Sequence, residues 1–370
     1  MTLPEAICKR LVALAKELAL PRASKLLIAP MKDEAGYGFG AGNCIRYPRD
    51  GSLLLIGRYQ NGEKRKAGKH PDAGGEALSI FRSTNQGRSF ERVAHWPVED
   101  FSKKHAVLSI GGSALRLTQR GIQVLVSTEL DVPVPKAIKS PGKLPRGIWR
   151  IQAFEAAEFG KLDPSRKLNP MVLETDPAHL HIKDPSVSSG FNEGQDILFY
   201  STQPFSKTSS NSGYAWLLSH GVEHQSNGFF QRGPVWDVAE TSISCRLPVP
   251  RVGPFANLPP ISLYFYNGAE RVHHDPASTS HPYPPWGYAG EQQGGIAYGF
   301  DRDFPSITRL TKLAPLFSTG KGTGACRHIR VLAEQDGSLF ATWQQSSNHG
   351  AQALHAHRLT ASKVAKILAS

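Results

Sequence analysis

"GNCIRYPRDGSLLLIGRYQNG", residues 42–62, sets Arg46, Tyr47 and Pro48 just ahead of an apolar run that is bounded by Asp50-Gly51 and Asn61-Gly62. A short apolar run between such turn signals reads as a β-strand buried on both faces and entered through a hairpin. A similar passage returns near the end of the chain as "GACRHIRVLAEQDGSLFATWQQ", residues 324–345. Between the two, the same outline recurs about every 60–80 residues, longer than common propeller signatures but of the same logic. "AVLSIGGSALRLT" leads to "GIQVLVSTEL" and "GIWRIQAFEAAEF"; "IKDPSVSS" leads to "QDILFYST" and "GYAWLLS"; "TSISCRLPVP" leads to "ISLYFYN" and "GGIAYGF".

One antiparallel meander cannot bury both of its faces, so several must stack around an axis. The expectation is an all-β chain forming a five-bladed β-propeller. Six blades are the alternative if residues 105–180 hide an extra one, and a jelly roll is a more distant third. "MTLPEAICKRLVALAKELAL" has helical periodicity broken by charges. It reads as a short N-terminal amphipathic helix (residues 1–23) docked on a single propeller domain (24–370), and not as a signal peptide. "SKLLIAPM" is available as the outer strand that closes the last blade.

The 370 residues carry a formal charge of +12, with basic residues dispersed apart from "NGEKRKAGKH". That balance suits an anionic partner. No nucleic-acid-binding motif is present, and no apolar run reaches the ~18 residues of a membrane span. The expected partner is therefore an oligosaccharide or another small anionic substrate, with neither nucleic acid nor membrane. The cysteines (Cys8, Cys44, Cys245, Cys326) form no C-x-x-C pair. They read as reduced, buried residues of a cytoplasmic protein.

In a propeller the inner strands converge at one mouth of the axial channel, so residues at their starts meet in space. Read this way, the starts supply Asn43 and Arg46, His105, His181 and Asp184, Glu240 and Arg246, and Arg327 and His328. Glycoside hydrolysis needs a carboxylic acid at the leaving oxygen and a second group across from it. Asp184 and Glu240 are the best pair, with Glu291 in "YAGEQQGG" as reserve acid and His328 as a further acid–base candidate. Arg46, Arg246 and Arg327, with Asn43, His105 and His181, would bind the substrate's anionic group. Trp286, in "RVHHDPASTSHPYPPWGYAG", would stack on a sugar ring. His179/His181 and His355/His357 alternate on strands without an identifiable third ligand. No metal or other cofactor is called for, with a divalent metal left open.

Two resemblances sharpen this reading. Arg46-Tyr47-Pro48, "DGSLLLIGRY" and "SIFRSTNQGRSF" (79–90) come in the order seen in the first blade of the sialidases, where an Arg-Ile-Pro motif precedes an S-x-D-x-G-x-x-W/F hairpin, the Asp-box. Ser83, Asn85, Gly87 and Phe90 fill the hairpin pattern, with Asn for Asp. The resemblance implies that Arg46 is a ligand of a substrate carboxylate. More weakly, "HIKDPSVSSGFNEGQDILFYST" (181–202) resembles the Asp-Pro inner strand of five-bladed family-43-type glycosidases, which implies an orienting role for Asp184. Their first-blade Asp is absent, since Asn43 and Cys44 stand there. The function expected is a glycosidase removing a terminal, acidic sugar. A lyase acting on a uronic-acid-containing glycan through a His or Tyr base is the alternative, and a non-catalytic glycan-binding propeller is the second.

Overall fold

A computed structural model describes residues 2–63, 75–135, 147–172, 174–219, 221–270 and 291–370. Strands dominate the described residues. The first blade runs from an inner strand in two pieces, β2 (Gly38–Gly40) and β3 (Cys44–Arg46), through β4 (Leu53–Gln60) and β5 (Gly75–Ser83) to β6 (Glu91–Pro97). The second is β7 (Val107–Thr118), β8 (Gly121–Leu130), β9 (Ile148–Ala156) and β10 (Asn169–Val172). The third is β11 (His181–Ser189), β12 (Asp196–Gln203), β13 (Asn211–Leu218) and β14 (Gly221–Phe230). The fourth is β15 (Glu240–Pro248), β16 (Ile261–Ala269), β17 (Gln293–Phe300) and β18 (Thr308–Arg309). The fifth is β19 (Cys326–Ala333), β20 (Leu339–Ser346) and β21 (Gln352–Leu359), completed by β1 (Lys25–Ile28), which pairs antiparallel with β21. The chain is a five-bladed β-propeller, and the described residues of 105–180 form one four-stranded blade.

The apolar second strands are explained by their neighbours on either side. Side chains alternate across a strand, so each second strand feeds two different interfaces. Leu54 and Ile56 pack toward Ile122, Val124 and Val126 of the second blade, whereas Leu53 and Leu55 pack with Phe340 and Leu354 of the fifth. Leu198 and Tyr200 face the second blade, while Ile197 and Phe199 face Tyr264 and Tyr266 of the fourth. Burial on both faces is worth about 2 kcal/mol per large side chain, which is why alternation with polar residues is lost. The wedge between the fourth and fifth blades is completed by two helices. Ile7, Leu11, Leu14 and Leu18 of α1 (Glu5–Leu18) and Val364 and Leu368 of α2 (Ala361–Ala369) join it.

At the axis every inner strand slips register by one residue. The slip falls between Gly40 and Cys44, Ile110 and Ser113, Lys183 and Ser186, Ile243 and Cys245, and Arg327 and Arg330. A bulge of this kind frees one backbone unit and re-aims its side chain. Ala41, Asp184 and His328 sit at these slips with φ of 57°, 57° and 52°. The freed groups stitch the blades together. Ser113 N donates to Ala41 O (2.8 Å) and Gly112 N to Asp184 Oδ1 (3.1 Å). Asp184 N donates to Ser127 Oγ (2.7 Å) and His328 N to Asn267 Oδ1 (2.7 Å). Ser186 Oγ donates to Ser244 O, and Ser244 Oγ donates to Ile329 O.

Candidate active site at the axial mouth

The face reached by the starts of the inner strands carries the charged groups. Lys183 and Arg327 each stand one residue before a left-handed position, so the third and fifth blades place cations equivalently beside Asp184 and His328. Glu240 opens β15 and is 7% exposed. Burial pushes its carboxyl above the usual range; the Lys183 charge opposes this, the Asp184 charge adds to it, and a hydrogen bond from Gln292 and the Arg327 charge oppose it. These effects put Glu240, Lys183, Asp184, Gln292 and Arg327 in one neighbourhood. Asp184 is buried, with Oδ1 engaged by Gly112.

His328 is buried and held neutral. Desolvation drives its pKa well below the ordinary value, and the charges of Arg327, Arg58, Arg330 and Lys183 push the same way. With Asn267 Oδ1 taking the His328 backbone N–H, Asn267 Nδ2 is left to donate to His328 Nδ1 at 3.2 Å. A neutral ring accepting at Nδ1 carries its proton on Nε2. Arg330 lies beneath this layer. Its Nη2 donates to Pro185 O (3.0 Å), so it spans from the fifth blade to the bulge of the third, and burial lowers its pKa to about 10. Gly38 and Gly40 sit where a Cβ would meet the Gln60 and Gln344 side chains at 2.9 and 2.5 Å.

The remaining candidates are distributed as follows. His181 is buried between the second and third blades, its Nδ1 accepting from Trp149 N (3.3 Å) and its Nε2 meeting Phe205 O (3.3 Å). His105 is exposed just ahead of β7. Glu291 accepts from Gln352 Nε2 at 3.0 Å. Asn43 bridges to the second blade through Leu115 N (2.7 Å) and Leu115 O (3.0 Å). Trp286 and its loop lie outside the described residues, as does most of the "NGEKRKAGKH" run.

Arg46 and Arg246 are not at this mouth. Arg46 ends β3 beside the hairpin to β4, and its Nε and Nη2 donate to Glu334 at 2.7 and 2.6 Å. Arg246 lies toward the end of β15, where it donates to Ser189 O (2.7 Å), pairs with Asp301 (3.1 Å) and stacks on Phe191 at 4.4 Å. Both belong to the opposite face, so the expected convergence of three arginines reduces to Arg327, joined by Arg58 and Lys183 and underlain by Arg330. In the hairpin 83–90, Asn85 Oδ1 accepts from Ser83 Oγ (2.9 Å) and Ser89 N (3.0 Å), and Gly87 turns with φ 81°. The Asn85 amide thus holds this turn.

No protein-family model matches the chain, and no curated protein matches it. Solved structures do. A glycoside hydrolase is similar over 96% of this chain and 96% of its own, with a TM-score of 0.59 at 13% identity. An α-L-arabinofuranosidase from Lactobacillus brevis is similar over 90% and 93%, with a TM-score of 0.55 at 10% identity. A β-1,2-mannobiose phosphorylase from Listeria innocua, solved with β-1,2-mannobiose, covers 92% and 95% at a TM-score of 0.51 and 12% identity. The likeness is one of fold. Among the described residues no group of three or more His, Cys, Asp or Glu is arranged to hold a metal ion, and no helix is long and apolar enough to cross a membrane.

Proposed function

We propose that the chain is a glycosidase that cleaves a terminal, acidic sugar from an oligosaccharide at the start face of the propeller. Glu240 is the proton donor to the leaving oxygen, and Asp184 is the second carboxylate. Arg327 and Lys183, backed by Arg58, attract the acidic group of the substrate. The observation that carries this reading is a buried Glu240 whose pKa is raised beside Asp184 and two cations. A carboxyl that holds its proton to higher pH than an ordinary carboxylate suits the role of general acid. That the similar folds include a glycoside hydrolase and an arabinofuranosidase supports the same class of reaction.

The test is product analysis on acidic oligosaccharides and aryl glycosides, run with and without inorganic phosphate because one similar fold is a phosphorylase. A new reducing sugar is expected, with loss of about 10²–10⁴-fold in turnover for Glu240→Gln and Asp184→Asn. An unsaturated uronate as product would replace the assignment by a lyase. Undiminished turnover in both variants would remove these carboxylates from the chemistry.

A further inference from the structure

Gln292 is 9% exposed immediately before β17, wedged between the ionisable side chains of Glu240 and Arg327 at the mouth. Its Oε1 accepts from Arg327 Nη1 at 3.2 Å, and its Nε2 donates to Glu240 Oε1. Arg327 Nη2 also reaches Gln60 Oε1 at 3.5 Å. A carboxamide has one acceptor end and one donor end. A guanidinium only donates, so the acceptor end must face Arg327 and the donor end must face the carboxyl. The arrangement therefore has a single sense. The Glu240 oxygen that receives the amide hydrogen is held as an acceptor, and the proton of the acid form resides on the other oxygen, Oε2.

We propose that Gln292 is a positioning residue, which ties Glu240 Oε1 to the Arg327 guanidinium and so fixes Oε2 as the oxygen that holds and delivers the proton. The inference rests on Glu240 being the proton donor. The charged groups acting on Glu240 are Lys183 and Asp184 from β11 and Arg327 from β19, with Gln292 as the neutral link. Donation from Gln292 favours the charged form of Glu240 and thus opposes burial. Removing the amide leaves Lys183 and Arg327 to oppose burial alone, so the proton is held to higher pH. It also frees the carboxyl to rotate.

The test uses the full chain with ¹³C-labelled glutamate side chains, the Glu240 signal being assigned by its loss in Glu240→Gln. In Gln292→Met the Glu240 titration midpoint moves up relative to wild type. On a cleaved substrate, kcat falls about ten- to a hundredfold with KM little changed, as expected for a lost hydrogen bond to a charged group. The alkaline limb of the rate profile moves up with the midpoint. Gln292→Asn, whose amide is one methylene too short to span both partners, gives the same direction and serves where the methionine variant does not fold. A packing role alone would lower thermal stability and leave the midpoint in place, and an unmoved midpoint in a folded variant overturns the proposal. A moved midpoint in a protein that cleaves no glycan sustains the positioning role and removes the glycosidase reading.

Discussion

Arg46 separates the sequence resemblance from the physics of the fold. By its place in the Arg-Tyr-Pro motif it would hold a substrate carboxylate; in the structure it pairs with Glu334 of the fifth blade, while Gln86 Oε1 accepts from Nη2 at 2.9 Å. Arg358 shares Glu334 at 3.4 Å, so the two arginines pin the seam where the last blade meets the first. The perturbation is Arg46→Met, which keeps the aliphatic stem. Breaking a buried pair costs about 3–5 kcal/mol. The Glu334 side chain is 6% exposed, but that of Arg46 is 30% exposed and Arg358 remains as a partner. The cost is therefore reduced to about 2 kcal/mol. With an unfolding entropy of about 2.1 cal/mol/K per residue, that is a fall in Tm of about 3 °C for this chain. The assay is thermal unfolding of Arg46→Met, Glu334→Gln and the double variant, alongside turnover of each. The expected coupling between the sites is about 1–2 kcal/mol with turnover preserved. Loss of turnover at undiminished stability would refute the reasoning and return Arg46 to the substrate.

Other predictions concern the mouth itself. Glu240 has its folded-state pKa raised, so its contribution to stability is fully present below the ordinary carboxylate range and is lost as pH rises through the folded value. Glu240→Gln, which keeps an acceptor for Gln292, should be more stable than wild type at pH 7, and the advantage should vanish near pH 4 in denaturant titrations. His328 is neutral across the working range, so the rate profile of the wild type should show no limb near pH 6.5, and a limb there that disappears in His328→Gln would contradict this. Gly112→Ala brings a Cβ to 2.8 Å from Asp184 Oδ1 and 3.0 Å from Asp184 Cα. Overpacking of that kind costs about 1–3 kcal/mol, and the displaced carboxylate should lower kcat more than KM. Removing residues 2–31 strips β1 from β21 and α1 from the wedge between the last two blades, which should yield aggregated protein by size-exclusion chromatography.

The blade count was legible because a second strand buried between two neighbours cannot hide its composition: "SLLLIGRY", "QDILFYST" and "ISLYFYN" announce themselves. The face on which a side chain emerges was not legible, for a physical reason. "CIR", "SCR" and "ACR" look like one repeated element, yet Cys44 and Cys245 pair just after their bulges whereas Cys326 lies two residues before His328. An offset of a few residues along a strand rising about 3.3 Å per residue carries Arg46 and Arg246 to the opposite face and leaves Arg327 at the mouth. Lys183, the true counterpart of Arg327, was hidden by the same offset, since it precedes Asp184 and not a cysteine motif. Arg58 had one visible sign, a charge interrupting an apolar strand. Gln292 had none, because its partners come from β15 and β19.

The five bulges tie the fold to the chemistry. In an unbroken ladder, inner-strand residues would alternate between channel and blade interface, and their backbone groups would be spent within the blade. The extra residue releases backbone groups that a neighbouring blade takes up: Ser127 accepts from Asp184 N and Asn267 from His328 N. A non-glycine residue in the left-handed region costs about 1–2 kcal/mol, so Ala41, Asp184 and His328 hold that conformation only while those bonds persist. Asn267 therefore has two functions that one substitution can separate. Asn267→Asp keeps the acceptor for His328 N but replaces the donor to Nδ1 with an oxygen, so the imidazole should take up a proton and titrate at higher pH with the backbone unmoved. Asn267→Ala removes both contacts and should lower stability as well. Histidine C–H resonances followed against pH, with unfolding curves for each variant, distinguish the two. A His328 titration indifferent to Asn267→Asp would mean that burial and the cations around the ring, and not its hydrogen-bond partner, set its charge.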